Sequence, residues 1–232
     1  MSRAIGKTPS TTAVTEIPVE GTTYTEPTTN GQRSLVSSSA NDAAAGTGAR
    51  TVRIMYFSLN TDGSVSGPFT ETVTLNGTSA VATVATNICY IERMDVMSAG
   101  SGGAPAGTIS LNTAPDGSGS TICSIAAGDE STFFAHHYVA SNKQCHVLDV
   151  LALGGVATAS LFEVKTKPLP SGIEQPFINA LAATNAATTQ FPIADRDRVV
   201  VPGPARVRLY VAPASTTAQV NQGSFGFRDE QL

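Results

Sequence analysis

The chain has 232 residues, of which only 14% are charged, and a formal net charge of −4. This composition differs from that of disordered segments and of long solvent-exposed helices, which are rich in charged residues. The sequence also lacks a run of lysine and arginine, so we expect no nucleic-acid partner.

The start of the chain and its cysteines predict the compartment. The sequence begins M-S-R-A-I-G-K-T-P, without the apolar core of a signal peptide, and no apolar run reaches the roughly 20 residues of a membrane helix. Cys89, Cys123 and Cys145 form no C-x-x-C motif and lie in apolar runs, where cysteine behaves as a small hydrophobic residue. We expect a soluble protein without a membrane partner that matures in a reducing compartment.

Residues 1–35 are predicted to form an extended arm rich in threonine and proline. Pro9, Pro18 and Pro27 recur along it, and proline disfavours regular structure. One interpretation is a disordered tail. The other is an arm that becomes ordered on a neighbouring subunit, with apolar anchors and with its backbone added to a sheet edge. The candidate partner-binding residues of this arm are Ile5, Val14, Ile17, Val19 and Tyr24.

The most regular stretch, Gly46–Leu111, predicts antiparallel strands. From Arg50 onward, apolar side chains recur at every second position, as they do on one face of a strand. Two turn signals divide the stretch, the loop Asn60–Gly67 and the dipeptide Asn76-Gly77, which is typical of a type I′ hairpin. We therefore predict a meander of three consecutive strands, the third starting near Ala80.

Further short strands are predicted at regular spacing along the rest of the chain. They lie at residues 88–96, 108–111, 121–126, 131–139, 144–151, 156–165, 199–201, 206–211 and 218–227, separated by turns rich in glycine, proline and asparagine. Glu92 interrupts the apolar face of the first of them and predicts a β-bulge. The alanine-rich segment Phe177–Ala187 is compatible with one short helix, because Pro176 suits its first turn.

These patterns predict an all-β protein. The expected architecture is an antiparallel β-sandwich of the jelly-roll type with an extended N-terminal arm, because many short strands with almost no helix are typical of sandwiches. The arm is expected to occupy residues 1–35 and the sandwich domain residues 36–232.

The sequence contains no catalytic motif. It has no G-x-S-x-G or H-E-x-x-H sequence, no phosphate-binding loop and no EF-hand loop. His136, His137 and His146 are the candidate metal ligands, but adjacent residues on a strand face opposite ways, and no carboxylate or cysteine stands at a supporting spacing. We therefore predict packed or partly exposed histidines, no metal, no cofactor and no enzymatic activity.

Two sets of charged residues are predicted to have ordinary roles. Arg206 and Arg208 alternate with an apolar row and are expected to be solvated. The sequence D-R-D-R at 195–198 is expected to form a solvated or interface salt-bridge cluster.

Several segments resemble structural proteins of tailed bacteriophages. Within Gly46–Ser101 they are G-A-R-T-V-R-I-M-Y-F, T-E-T-V-T-L-N-G-T and I-C-Y-I-E-R-M-D-V, and residues 124–140 look like a continuation of the same module. The resemblance implies a β-sandwich virion component, either a capsid decoration (cement) protein or another head- or tail-associated subunit. It further implies a homo-oligomer, often a trimer, which binds the major capsid protein or other virion subunits and assembles in the host cytoplasm. These segments are packing motifs, so they transfer no functional residues.

An alternative function is a receptor- or glycan-binding β-sandwich at a tail, fibre or baseplate. Sugar-binding sites usually stack aromatic rings on the sugar, and a chain with no tryptophan and five tyrosines is a poor match. An enzyme is the third hypothesis, and the absence of catalytic motifs weighs against it.

Overall fold

The computed structural model describes residues 2–7, 15–16, 24–132, 134–153, 160–182, 188–192, 199–213 and 222–232. Within these ranges the chain forms strands, turns and loops, and no helix. The paired strands are antiparallel. The predicted all-β class is therefore confirmed.

The strands of the described part of the chain are numbered here in chain order. They are β1 (Ser2–Lys7), β2 (Thr15–Glu16), β3 (Ser34–Ser37), β4 (Ala49–Leu59), β5 (Val65–Thr74), β6 (Val81–Ala82), β7 (Tyr90–Ala99), β8 (Ile109–Asn112), β9 (Thr121–Ile125), β10 (His136–Val139), β11 (Lys143–Leu153), β12 (Ser160–Pro168), β13 (Gln175–Ala182), β14 (Thr188–Pro192), β15 (Val199–Pro202), β16 (Ala205–Pro213) and β17 (Gln222–Gln231).

The chain divides into two compact units. Unit 1 comprises Met1–Glu20, Asp62–Val65 and Phe133–Leu232, and unit 2 comprises Gly21–Thr61 and Ser66–Thr132. The predicted division into an arm (1–35) and a sandwich domain (36–232) stays a prediction, because this grouping does not test where an arm ends.

Unit 1 contains two five-stranded sheets. One has the order β1-β17-β11-β14, with β15 also paired to β11, and the other has the order β10-β16-β12-β13, with β2 paired to β16. Apolar side chains from both sheets form one buried cluster, which includes Val147 and Phe225 of the first sheet and Phe162 and Leu209 of the second. Two sheets that share one core form a sandwich, as predicted. Its jelly-roll form stays a prediction.

Unit 2 contains a four-stranded sheet, β6-β3-β8-β9, and a three-stranded sheet, β5-β4-β7. Both sheets carry fully buried apolar side chains, for example Leu35 and Leu111 in the first and Ile54 and Met94 in the second. The alternating apolar residues that predicted these strands are therefore the ones whose side chains are buried.

The predicted meander is correct for its first two strands and wrong for the third. β4 pairs with β5, but β7 pairs with the other edge of β4, and β6 pairs with β3 in the four-stranded sheet. The turn at Asn76-Gly77 does form, since Ser79 N donates to Asn76 O at 3.1 Å and Gly77 has a φ of 62°. A tight turn reverses the chain locally, but it does not select the partner of the strand that follows.

The predicted bulge is confirmed. Arg93 pairs with Met55 and Ile91 pairs with Tyr56, so the register shifts at Glu92. The extra residue therefore lies in β7.

Two local predictions are wrong. β13 occupies the first half of the predicted helix Phe177–Ala187, because pairing with β12 overrides the helix propensity of the alanines, and residues 183–187 lie outside the described residues. In the arm, Ser2–Lys7 forms β1, although proline was expected to prevent regular structure. The three prolines of the arm all lie outside this segment.

A buried carboxylate joins two loops of unit 2. Asp42 Oδ1 accepts hydrogen bonds from Ala49 N (2.8 Å) and Ala106 N (2.9 Å), and Oδ2 accepts from Gly107 N (2.9 Å) and Ser37 Oγ (2.6 Å). Burial alone would raise the pKa of Asp42, but these hydrogen bonds outweigh that effect and hold the pKa below its ordinary value. The ionised carboxylate is thus the form that stabilises this region.

We expect Asp42→Asn to lower the free energy of unfolding by about 2–4 kcal/mol at pH 7, because an amide cannot accept all four hydrogen bonds. The folded-state pKa lies below the unfolded value of about 3.9, so this contribution is present above pH 4 and is lost as pH falls through the folded-state pKa. Urea unfolding of both proteins, followed by circular dichroism from pH 7 to pH 2, measures the difference.

The matched control is Asp116→Asn in unit 2. Asp116 is exposed and accepts hydrogen bonds from Ser118 within one turn, so the amide variant should unfold at nearly the parental urea concentration. Equal effects of the two substitutions would show that Asp42 does not have the structural role given above.

Candidate functional site

The three histidines lie in unit 1, and all of them are packed. His136, His137 and His146 are 1%, 5% and 8% exposed. The adjacent pair on β10 has different neighbours, since the His136 ring stacks on Phe134 at 4.8 Å between centroids and the His137 ring stacks on Phe227 at 3.8 Å. Opposite orientations on a strand, as predicted, explain why these two residues do not form one site.

Arg206 is buried, so the prediction that it is solvated is wrong. Its side chain on β16 is 1% exposed, and Nη2 lies 2.8 Å from Nδ1 of His136. The guanidinium carbon also lies 5.4 Å from the centre of the Tyr138 ring. Because a guanidinium group only donates, Nδ1 of His136 is the acceptor and carries no proton in this contact.

Arg208, the second arginine of this strand, was also predicted to be solvated and is instead mostly covered. Its side chain is 14% exposed, and Nε lies 3.0 Å from Oε1 of Glu174. The Tyr210 hydroxyl donates to the other oxygen of Glu174 at 2.9 Å. This face of β16 therefore carries a connected polar network where a solvated surface was expected.

A polar group of three residues joins the two sheets of unit 1. His137 of β10 has its Nε2 atom 2.9 Å from Oδ1 of Asp229 of β17. Cys145 of β11 lies beside them, such that one ligand atom from each of the three residues falls within 4.8 Å of the others. We call this group the His–Cys–Asp cluster. It brings together residues from three separate strands, which no local sequence motif connects.

His146 lies on β11 next to Cys145. Its Nε2 atom is 3.0 Å from Oε2 of Glu230 and 3.2 Å from the side-chain amide of Gln144. Because Cys145 and His146 are consecutive residues of a strand, they face opposite sides of the sheet. His146 is therefore not part of the His–Cys–Asp cluster.

The candidate partner-binding residues of the arm are not brought together by the described structure. Ile5 lies in β1, opposite Ser224 of β17, and Tyr24 lies in unit 2, where its hydroxyl accepts a hydrogen bond from Ile91 N at 3.1 Å. Val14, Ile17 and Val19 are outside the described residues, as is the D-R-D-R sequence at 195–198. The role of the five residues in binding a partner stays a prediction.

The segment that follows the arm strands is attached to unit 2 by hydrogen bonds. The buried guanidinium group of Arg33 donates to the carbonyl oxygens of Thr29 (2.6 Å), Ile88 (2.9 Å) and Thr113 (3.1 Å). The side chain of Asn30 exchanges two hydrogen bonds with the backbone of Leu59. Residues of the segment 24–33 are therefore hydrogen-bonded to the rest of unit 2.

Among the described residues, no helix has the length and apolar character required to cross a membrane. No protein-family model matches the chain, and no curated protein matches it. One solved structure, described as "Structure of infectious bursal disease virus Gt strain", has 9% sequence identity and a TM-score of 0.27, with 99% of this chain and 68% of that chain covered. A TM-score of this size does not establish a shared fold.

We expect Arg206→Ala to lower the free energy of unfolding of unit 1 by about 2–4 kcal/mol, because it leaves a cavity and removes the donor to His136. The control is Arg228→Ala on β17, whose side chain is 45% exposed and pairs with Glu230, and which should cost less than about 1 kcal/mol. Urea unfolding at pH 7 checks both values. If the two substitutions destabilise the protein equally, the burial of Arg206 has no energetic consequence.

Proposed function

We propose that this protein is a virion structural protein of a tailed bacteriophage. Its most specific form is a capsid decoration (cement) protein that binds neighbouring major capsid subunits and stabilises the shell through contacts between subunits. It would act as a homo-oligomer, with a trimer favoured, and without an enzymatic reaction. It would assemble in the host cytoplasm and reside in the virion.

The pairing of the N-terminal strands is the observation that supports this proposal most directly. β1 lies at one end of its sheet and pairs with β17, and β2 pairs with β16 in the other sheet. Both strands come from the first 20 residues of the chain. Main-chain hydrogen bonds at a sheet edge are formed equally well by a strand from another chain, which is a common way for subunits to be linked.

The surface composition supports the same proposal. Charged residues make up 14% of the chain, and interface cores are depleted of charge. Six large apolar side chains are strongly exposed in the described part of the molecule: Val84 (88%), Ile173 (82%), Leu232 (67%), Met97 (49%), Val200 (43%) and Phe69 (41%). Such side chains are available to neighbours, and weak contacts repeated by symmetry add up to strong attachment. The resemblance of Gly46–Ser101 to phage structural proteins indicates the class of particle.

We expect the purified chain to cosediment with phage shells that lack decoration and to raise the temperature at which those shells disrupt. Its mass by sedimentation equilibrium should be that of a homo-oligomer. Specific binding on a glycan array, with no binding to shells, would favour the receptor- or glycan-binding alternative. Absence of both kinds of binding would contradict the proposal.

We expect a chain lacking residues 1–20 to bind shells at least tenfold more weakly, because multivalent attachment loses one set of contacts. The truncation should end at residue 20, because Tyr24–Arg33 is hydrogen-bonded into unit 2 and its removal would disturb the fold. Binding measured by cosedimentation over a range of protein concentrations gives the ratio of affinities.

A synthetic peptide of residues 1–20, added to the truncated chain, serves as the control. If the lost contact is a strand added to a sheet edge, the peptide should bind the truncated chain but should not restore its oligomeric mass, because a free peptide fills the edge without connecting two chains. Equal shell binding by the full and truncated chains would remove the arm from the mechanism and leave the rest of the proposal standing.

A further inference from the structure

We propose that His137, Cys145 and Asp229 bind one divalent transition-metal ion of the zinc class, which cross-links the two sheets of unit 1. Such a site departs from the sequence-based prediction that the histidines take no part in metal binding. It does not depend on the proposed virion function.

The pairing of β11 with β17 fixes two of the three ligands. Cys145 and Asp229 are direct antiparallel partners, so their side chains leave the same face of the sheet. His137 comes from β10 of the opposite sheet, and its Nε2 atom already lies 2.9 Å from Oδ1 of Asp229. A metal ion would take the position between donors that the fold has already brought together.

The spacing of the donor atoms is compatible with a tetrahedral ion. One ligand atom from each residue lies within 4.8 Å of the others. In a tetrahedral site with metal–ligand bonds of about 2.0–2.3 Å, neighbouring ligand atoms are about 3.3–3.7 Å apart. The 2.9 Å between His137 Nε2 and Asp229 Oδ1 is slightly shorter than this spacing. The 4.8 Å limit on the distances among the three ligand atoms is about 1 Å longer than it. Side-chain rotation of this size accommodates the ion without a change of strand register.

The donor set selects the class of metal. A thiolate, an imidazole and a carboxylate together match Zn²⁺ and the related ions Co²⁺ and Ni²⁺, whereas Mg²⁺ and Ca²⁺ prefer oxygen donors throughout. Three protein ligands leave a fourth position for water, and the Asp229 side chain, 22% exposed, gives solvent a path to it. On binding, the Cys145 thiol releases its proton to solvent and the thiolate binds the metal.

The neighbours of the cluster favour a bound ion over a catalytic nucleophile. Cys145 is 0% exposed, so no substrate reaches its sulfur from solvent. The Phe227 ring, which stacks on His137 at 3.8 Å between centroids and an interplanar angle of 22°, holds the imidazole plane in position. A restrained imidazole loses less freedom when it binds a metal, as do ligands held by outer contacts in known metal sites.

Cobalt titration tests the site directly. The full-length protein, reduced and treated with a chelator, is titrated with Co²⁺ and followed by absorption. We expect one Co²⁺ per chain, with visible bands of a tetrahedral ion and a near-ultraviolet charge-transfer band from a cobalt–thiolate bond. Addition of Zn²⁺ should remove both. No saturable bands at one equivalent would overturn the proposal.

The other two cysteines provide matched controls. Cys89 and Cys123 are, like Cys145, buried and not disulfide-bonded, but they lie in unit 2. Cys145→Ser should lose the charge-transfer band, whereas Cys89→Ser and Cys123→Ser should keep it. A band that persists in Cys145→Ser, or that disappears in either control, would place the metal elsewhere and refute the assignment.

Asp229→Asn keeps the test decisive if Cys145→Ser fails to fold. The substitution is nearly isosteric at a partly exposed position, and it should keep the charge-transfer band while weakening Zn²⁺ binding at least tenfold. Zn²⁺ should raise the melting temperature of the parent protein more than that of Asp229→Asn, because a ligand that binds the folded state stabilises it. Equal affinity and equal thermal shifts in both proteins would exclude Asp229 as a ligand.

Discussion

The pairing of β11 with β17 is the constraint on which unit 1 depends. β11 pairs on one side with β17 and on the other with β15 and β14 in succession, so three strands that are distant in sequence take their register from it. The register shifts between Val147 and Asp149, where the Asp149 carboxylate accepts a hydrogen bond from Gly226 N at 2.9 Å. A slip of one residue would exchange the side chains that face the core. The same register places Cys145 opposite Asp229, so the polar cluster is a consequence of the ladder.

The sequence predicted the strands well because alternation of apolar side chains is a local property. The segments 121–126, 144–151 and 206–211 lie within two residues of the corresponding ends of β9, β11 and β16. The pairing of strands is not local. The local pattern of residues 60–99 does not specify that β7 pairs with β4. The alternating apolar side chains of β7 would be buried beside any strand that covers its apolar face.

The polar sites were harder to predict, since their partners are far apart in sequence. Because His136 and His137 are adjacent on a strand, the sequence correctly predicted that their side chains face opposite ways. However, the partner of His136 is 70 residues away and the partner of His137 is 92 residues away. Arginine that alternates with apolar residues normally marks a solvent face, so the burial of Arg206 could be seen only after β10 was paired with β16.

The arm strands are peripheral, so exchanging them between subunits would cost little free energy of folding. β1 has six residues and β2 has two, whereas the central strand β11 has eleven, so the core of unit 1 does not depend on the arm for its main ladders. The residues that follow are held in unit 2 by Asn30 and Arg33. A strand from a neighbouring chain in the same register would form the same main-chain hydrogen bonds as the chain's own. Exchange would therefore change which chains are connected while leaving the folded body of each chain intact. This is the property required of a protein that holds a symmetric shell together.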